Sequence, residues 1–112
     1  MKKIICCLIV LSINLASASQ LLKCPTTKNK LAFSTLSVFD GNPKENVDLA
    51  PDNANSPPPH TWTLTNVSPW LVCNYGPKYQ QLFKKKIIGK FKECMTIESL
   101  AGSGKFDSIR CN

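Results

Sequence analysis

Two apolar segments with a central cysteine constrain this chain more than any other feature. Residues 70–75 contain Cys73, and residues 91–97 contain Cys94. Both segments are rich in residues that favour β-strands, and a lysine-rich connection joins them. If they pair as antiparallel strands, the two cysteines lie opposite each other, with Cβ atoms at about the 3.5 to 4.5 Å that a disulfide requires. We therefore expect a β-hairpin stapled by Cys73 and Cys94 at the centre of the domain.

The first 18 residues have the three-part layout of a secretory signal peptide. Lys2 and Lys3 precede an apolar run at residues 4–15, and small residues follow at 16–18. We predict cleavage after Ala18 and export to an oxidising compartment. A membrane anchor is the alternative, but the run of about 12 residues is shorter than the roughly 20 needed to cross a bilayer. We therefore expect no stable membrane insertion.

Removal of residues 1–18 leaves residues 19–112 as a single domain, and the formal charge of +7 falls by two lysines to +5. A chain of this length buries only about 60 to 65 per cent of its unfolded surface, so cross-links would matter to its stability. Export and an even cysteine count favour two disulfides. If Cys73 bonds Cys94, Cys24 pairs with Cys111. A zinc site is the alternative, but these cysteines are scattered and His60 is the only histidine, so we expect no metal and no cofactor.

The distribution of β-formers and turn residues predicts a mainly β fold, with a β-rich α+β fold as the variant. We expect a small antiparallel meander or sandwich-like sheet with at most one short helix, which residues 78–86 can form if they are not a loop. An edge strand is possible within residues 46–50. Trp62, Leu64 and Val72 fall on apolar strand faces and are predicted core residues. The predicted main strands cover residues 31–39, 61–66, 70–75, 91–97 and 105–111.

The proline-rich segment at residues 51–59 cannot join a β-ladder, because proline lacks the amide donor. It is predicted to be a surface loop. Its three successive prolines favour an extended conformation, which limits the entropy lost if a partner binds there. Pro58 and the adjacent His60 are therefore candidate partner-binding residues. The alternative is a solvated connector.

Lysines cluster strongly in the second half of the chain. Lys84, Lys85, Lys86 and Lys90 are the members that we take as candidate partner-binding residues. Such a cluster creates a local field that speeds the encounter with an acidic partner. Nucleic acid is disfavoured, because the cluster lacks the interleaved aromatic residues of a single-strand binder. A solubilising surface segment is the alternative interpretation.

The sequence shows no catalytic constellation. It has no second histidine to pair with a nucleophile, and its seven carboxylates are scattered. His60 at the start of a predicted strand is better explained as a partly exposed residue than as a general base. We therefore expect a protein that is not an enzyme.

Four short motifs carry a resemblance to a known family. They are Cys24-Pro25, Trp62-Thr63-Leu64 after the proline-rich loop, residues 70–75 with Cys73, and a final strand that contains Cys111. Their order resembles that of small exported, two-disulfide proteins of Gram-negative bacteria that are often encoded beside type VI secretion effectors. The resemblance implies a periplasmic immunity protein against a cell-wall toxin, in particular one with an L,D-transpeptidase-like domain. It assigns no binding residues.

Two classes of function follow from these observations. The first is an inhibitory protein that blocks a protein toxin, its cognate effector, which requires a rigid scaffold and projecting loops but no catalytic residues. The second is an envelope-binding or structural module whose lysines contact anionic lipid or wall polymer. The sequence leaves the oligomeric state open.

Overall fold

The structure, a computed structural model, describes residues 19–112, so the predicted signal peptide at residues 1–18 lies outside the described part. Within residues 19–112 the chain forms nine β-strands and a single turn of 3₁₀ helix at Pro43–Glu45, which confirms the predicted mainly β fold. No helix in this described range is long and apolar enough to span a bilayer. The strands are β1 (Gln20–Lys23), β2 (Thr27–Lys28), β3 (Leu31–Asp40), β4 (Asp48–Leu49), β5 (Thr61–Thr63), β6 (Pro69–Tyr75), β7 (Gln80–Lys86), β8 (Glu93–Ile97) and β9 (Ser108–Cys111).

The strands form two antiparallel sheets. The short-stranded sheet has the order β1-β9-β8-β5, and the long-stranded sheet has the order β2-β3-β6-β7, with β4 also pairing with β3. The predicted strands at residues 31–39 and 70–75 become β3 and β6, which pair along most of their length. The possible edge strand within residues 46–50 is β4. The sandwich-like alternative thus describes the fold better than a continuous meander.

The hydrophobic core lies between the two sheets. Side chains alternate along a strand, so Leu71, Cys73 and Tyr75 of β6 share the inward face, where Trp62 and Ile109 of the short-stranded sheet join them. The Trp62 side chain is 3 % exposed, and its indole N–H donates a hydrogen bond to the carbonyl oxygen of Leu49, 3.0 Å away. This bond connects the two sheets directly.

The predicted burial of Trp62, Leu64 and Val72 is confirmed. Val72 nevertheless lies outside the main cluster, because its side chain points to the opposite face of β6 from Leu71 and Cys73. Both faces of this central strand are therefore covered.

The predicted disulfide pairing is wrong. The structure joins Cys24 to Cys73 and Cys94 to Cys111. The expected hairpin partner of Cys73 was the strand with Cys94, but β6 pairs with β7 and belongs to the other sheet. Cys94 of β8 instead lies directly opposite Cys111 of β9, with Cα atoms 4.0 Å apart.

The two disulfides therefore have different positions in the fold. Cys24 follows β1 of the short-stranded sheet, and its bond to Cys73 connects that sheet to the centre of the long-stranded one. The Cys94–Cys111 bond connects two neighbouring strands of a single sheet. One cross-link holds the sheets together, and the other closes a ladder within one sheet.

Candidate functional site

The structure places three of the four candidate lysines, Lys84 to Lys86, on an edge strand. Residues 78–86, predicted as a short helix or a loop, instead contribute β7, so that prediction is wrong. Pairing with β6 extends from Tyr75 opposite Gln80 to Trp70 opposite Lys86, and this ladder outweighs the weak local propensity of a lysine-rich segment. Nothing within residues 19–112 pairs with the other edge of β7.

The three successive lysines spread their charge over both faces of that edge. Lys84 lies opposite Val72 and Lys86 opposite Trp70, so these two share the outward face of the sheet, whereas Lys85 lies on the inward face. All three side chains are exposed, as is Lys90 in the following loop. Lysines on an edge strand also discourage the addition of a further strand. These lysines can form the charged rim of a binding surface, or they can simply prevent another strand from pairing with β7.

His60 has a structural explanation in the described fold. Its backbone N–H donates to the Thr96 hydroxyl, 2.8 Å away, and its ring Nε2 donates to the carbonyl oxygen of Ser56 at 3.1 Å. Asn53 secures the same loop, donating to the Pro59 carbonyl oxygen and accepting from the Thr61 N–H. The proline-rich loop is thus held in one conformation beside β5.

Pro58 and His60 line a groove that does not include the candidate lysines of β7. The groove has a volume of about 400 Å³, and His60 also lines a second groove of about 390 Å³. Thr35 and Leu36 of β3 line both. The first is lined by Phe33, Ser34, Thr35, Leu36, Pro58, His60, Thr96, Ser103, Gly104, Lys105 and Phe106. The second is lined by Thr35, Leu36, Ser37, Asp48, Leu49, Ala50, Pro51, His60 and Trp62.

The structure therefore divides the candidate binding residues into two regions. Lys84, Lys85 and Lys86 occupy the β7 edge, whereas Pro58 and His60 belong to the grooves beside β3. Sequence reasoning did not identify Leu36 or Lys105 as groove residues. The available signals were the long segment of β-formers at residues 31–39 and the separate proline-rich segment at residues 51–59.

Two titratable groups in the described residues have pKa values that burial shifts from their ordinary values. Partial burial raises the pKa of the Asp48 carboxyl in the second groove. Burial also raises the pKa of the Tyr75 phenol, whose hydroxyl donates to the Pro25 carbonyl oxygen at 2.8 Å. Across residues 19–112, no group of three His, Cys, Asp or Glu side chains is arranged to hold a metal ion.

A comparison with protein-family models finds one that covers most of the chain. Residues 27–112 match the model described as type VI secretion system Tli immunity protein. No curated protein and no solved structure matches the chain significantly. The matched range begins at β2 and includes both grooves and the β7 edge. The chain belongs to the type VI secretion system Tli immunity protein family.

Proposed function

We propose that the mature protein, residues 19–112, is a periplasmic inhibitor that binds a toxin delivered by type VI secretion and blocks it without chemistry of its own. The observation that carries this proposal is the family match over residues 27–112. An immunity protein acts by binding a protein toxin. We take the grooves beside β3 and the lysine edge of β7 as the candidate surfaces for that contact.

The periplasmic location rests on two further observations. Two disulfides fit an oxidising compartment, since thiols stay reduced in the cytosol. The pattern of residues 1–18 fits export with cleavage after Ala18. Both would place the inhibitor where a toxin delivered from a neighbouring cell arrives.

The scaffold suits inhibition by rigid contact. A stable interface buries about 800 Å² on each partner, and its affinity depends on how little ordering the free surface requires. Here a disulfide ties the sheets together, and hydrogen bonds from Asn53 and His60 fix the proline-rich loop. A surface that is ordered before binding loses less entropy in the complex.

The chemistry of the toxin is the finer part of the proposal. The resemblance noted in the sequence supports a toxin that acts on the cell wall, in particular one with an L,D-transpeptidase-like domain. An inhibitor of such an enzyme would cover the mouth of its active-site cleft, which requires projecting loops rather than catalytic groups.

The alternative function is envelope binding. The exposed lysines on both faces of β7, together with Ile88, which is 74 % exposed, would suit contact with anionic lipid or wall polymer. Sedimentation of the purified protein with anionic vesicles or isolated cell walls, reversed by salt, would favour this alternative.

Co-expression tests the inhibitor proposal. The cognate toxin is directed to the periplasm, alone or together with the full chain, and lysis is followed by turbidity. We expect full protection and, with purified proteins, a stoichiometric complex. A version without residues 1–18 is the control, and it should not protect. Cells that lyse equally fast with and without the full chain would refute the proposal.

A further inference from the structure

The outer edge of β3 is covered at both ends and open in the middle. At one end the Phe33 N–H donates to the Thr26 carbonyl oxygen at 3.0 Å, and at the other Val38 pairs with Leu49 of β4. Among residues 19–112, no strand pairs with this edge between those two points. Five residue steps at about 3.4 Å each make the open segment roughly 17 Å long. We refer to residues 34–37, with this free edge, as the β3 slot.

The backbone groups of Leu36 point into the slot. Asp40 donates its N–H to the Val47 carbonyl oxygen on the outer edge, whereas Gly41 donates to Ser68 on the β6 side. Neighbouring residues of a strand direct their N–H and C=O to opposite edges, so Val38 and Leu36 share the outer edge with Asp40. The N–H and C=O of Leu36 therefore lie at the open edge without a strand partner in the described structure.

Prolines stop the neighbouring strands at the slot. The register of β4 would place Pro51 opposite Leu36, but proline has no N–H to donate to the Leu36 carbonyl oxygen. The next residue, Asp52, bonds instead to Thr61 of the other sheet at 2.7 Å. At the opposite end Pro25 precedes Thr26. The Tyr75 hydroxyl donates a hydrogen bond to the Pro25 carbonyl oxygen. Within residues 19–112, prolines in the sequence therefore account for the absence of a strand opposite residues 34–37.

Two grooves adjoin the slot, and both include Leu36 and His60. The aromatic ring of Phe106 and the exposed charge of Lys105 line the first groove together with residues of β3. An incoming segment would therefore meet a hydrogen-bonding edge, an apolar wall and a cation within one short length. The free edge on the opposite side of the same sheet belongs to β7 and carries lysines that oppose strand addition.

We infer that the β3 slot receives a short extended segment of the toxin, an inference that rests on the proposed function. One toxin residue exchanges backbone hydrogen bonds with Leu36. An apolar side chain of the same segment enters the first groove, and a neighbouring carboxylate meets Lys105. Added strands obtain affinity from the main chain and specificity from adjoining pockets. A slot of about four residues fits the tip of a loop rather than a full strand.

Amide hydrogen exchange measured by NMR tests the slot directly. In the free protein, the Leu36 amide should exchange quickly and the Ser37 amide, which faces β6, slowly. On addition of the purified toxin, the Leu36 amide should slow at least tenfold. The amides of Lys84 and Lys86, which face the open edge of β7, are matched controls and should stay fast. Slowing at Lys84 and Lys86 with an unchanged Leu36 amide would overturn the inference.

A groove variant provides an independent measurement. Ser103→Trp puts a large ring at the rim of the first groove, whereas Leu100→Trp puts the same ring in the same loop outside it. Both positions are exposed, so both variants should melt like the wild type. Ser103→Trp should weaken toxin binding at least tenfold and Leu100→Trp less than twofold. Equal toxin affinities of the two variants would overturn the inferred binding at the slot but not the proposed function. A wild-type protein that binds no toxin would overturn both.

Discussion

The two sheets of this protein differ in how they are held together. The long-stranded sheet contains strands of ten, seven and seven residues, β3, β6 and β7, in one continuous ladder. The strands of the short-stranded sheet have three to five residues and come from distant parts of the chain. Backbone pairing thus supports the first sheet, whereas the second depends on cross-links and on side chains packed against its partner. The two candidate edges for recognition, those of β3 and β7, belong to the long-stranded sheet.

Among substitutions that weaken the contact between the sheets, Trp62→Ala should lower the free energy of unfolding most. The substitution removes a buried indole between the sheets and the hydrogen bond to the Leu49 carbonyl oxygen. We expect a loss of about 5 kcal/mol in the free energy of unfolding, the upper end for such a truncation. Urea denaturation measures it. A variant that unfolds cooperatively at the wild-type midpoint would show that this contact does not hold the sheets together.

Loss of the bond between sheets should rank next. The Cys24→Ala and Cys73→Ala double variant opens a loop with a sequence separation of 49 residues. The chain-entropy model gives about 4 kcal/mol for a loop of this length. Denaturation under non-reducing conditions measures the difference. Paired substitution avoids free thiols, so any loss reports the cross-link and the packing of its sulfur atoms.

Loss of the bond within the short-stranded sheet should cost less. The Cys94→Ala and Cys111→Ala double variant opens a separation of 17 residues, for which the same model gives about 3 kcal/mol. We also expect faster amide exchange in β8 and β9 than in β3 and β6. If this variant proves less stable than the Cys24 and Cys73 variant, the proposed division of roles between the two bonds is wrong.

A smaller effect should follow from Tyr75→Phe. The substitution removes the hydrogen bond to the Pro25 carbonyl oxygen and should cost about 1 kcal/mol near neutral pH. Burial raises the pKa of this phenol in the folded state, so its contribution is complete below the unfolded pKa of about 10 and is lost as pH rises through the folded-state pKa. The gap between wild type and variant should therefore shrink in alkaline solution, as thermal melts across that range would show.

The mildest effect concerns the β7 edge and leaves stability unchanged. Changing Lys84, Lys85 and Lys86 to glutamine should slow toxin association several-fold at low salt and leave dissociation nearly unchanged, since rim charges act mainly on the encounter. Stopped-flow mixing at two salt concentrations measures the rate. A triple change of Lys23, Lys28 and Lys44 to glutamine removes equal charge elsewhere and is the control. Equal association rates for the two triple variants would show that the β7 lysines do not speed the encounter with the toxin.

The sequence predicted the parts of the fold in which local pattern and final environment agree. Residues 31–39 and 70–75 are β-formers in long strands, and both became strands of the central ladder. Trp62 alternates with polar neighbours and is buried. Prolines at residues 51–59 predicted the loop because the missing amide donor is a property of the residue itself.

The remaining features depended on which strands meet. Lys84 to Lys86 have no apolar alternation, so only pairing with β6 makes β7 a strand. Because β7 pairs with β6, the strand that carries Cys94 cannot lie next to Cys73. The predicted disulfides are wrong for that reason. Pro58 and His60 were chosen as candidates because the sequence predicts their loop, and the structure places both at a groove. The β3 slot was missed because it results from the absence of a neighbour at Leu36, which the order of strands decides.

The disulfides join cysteines that follow one another along the chain, Cys24 to Cys73 and Cys94 to Cys111. In a polypeptide that crosses a membrane with its N-terminus first, as the export we propose requires, Cys73 is the first thiol to arrive after Cys24. An oxidase that joins thiols in order of arrival therefore makes both native bonds, and no later exchange of partners is needed. If Cys24 paired with Cys111 and Cys73 with Cys94, the Cys24 thiol would stay unpaired until Cys111 arrived. Consecutive pairing thus links the direction of translocation to the order of oxidation.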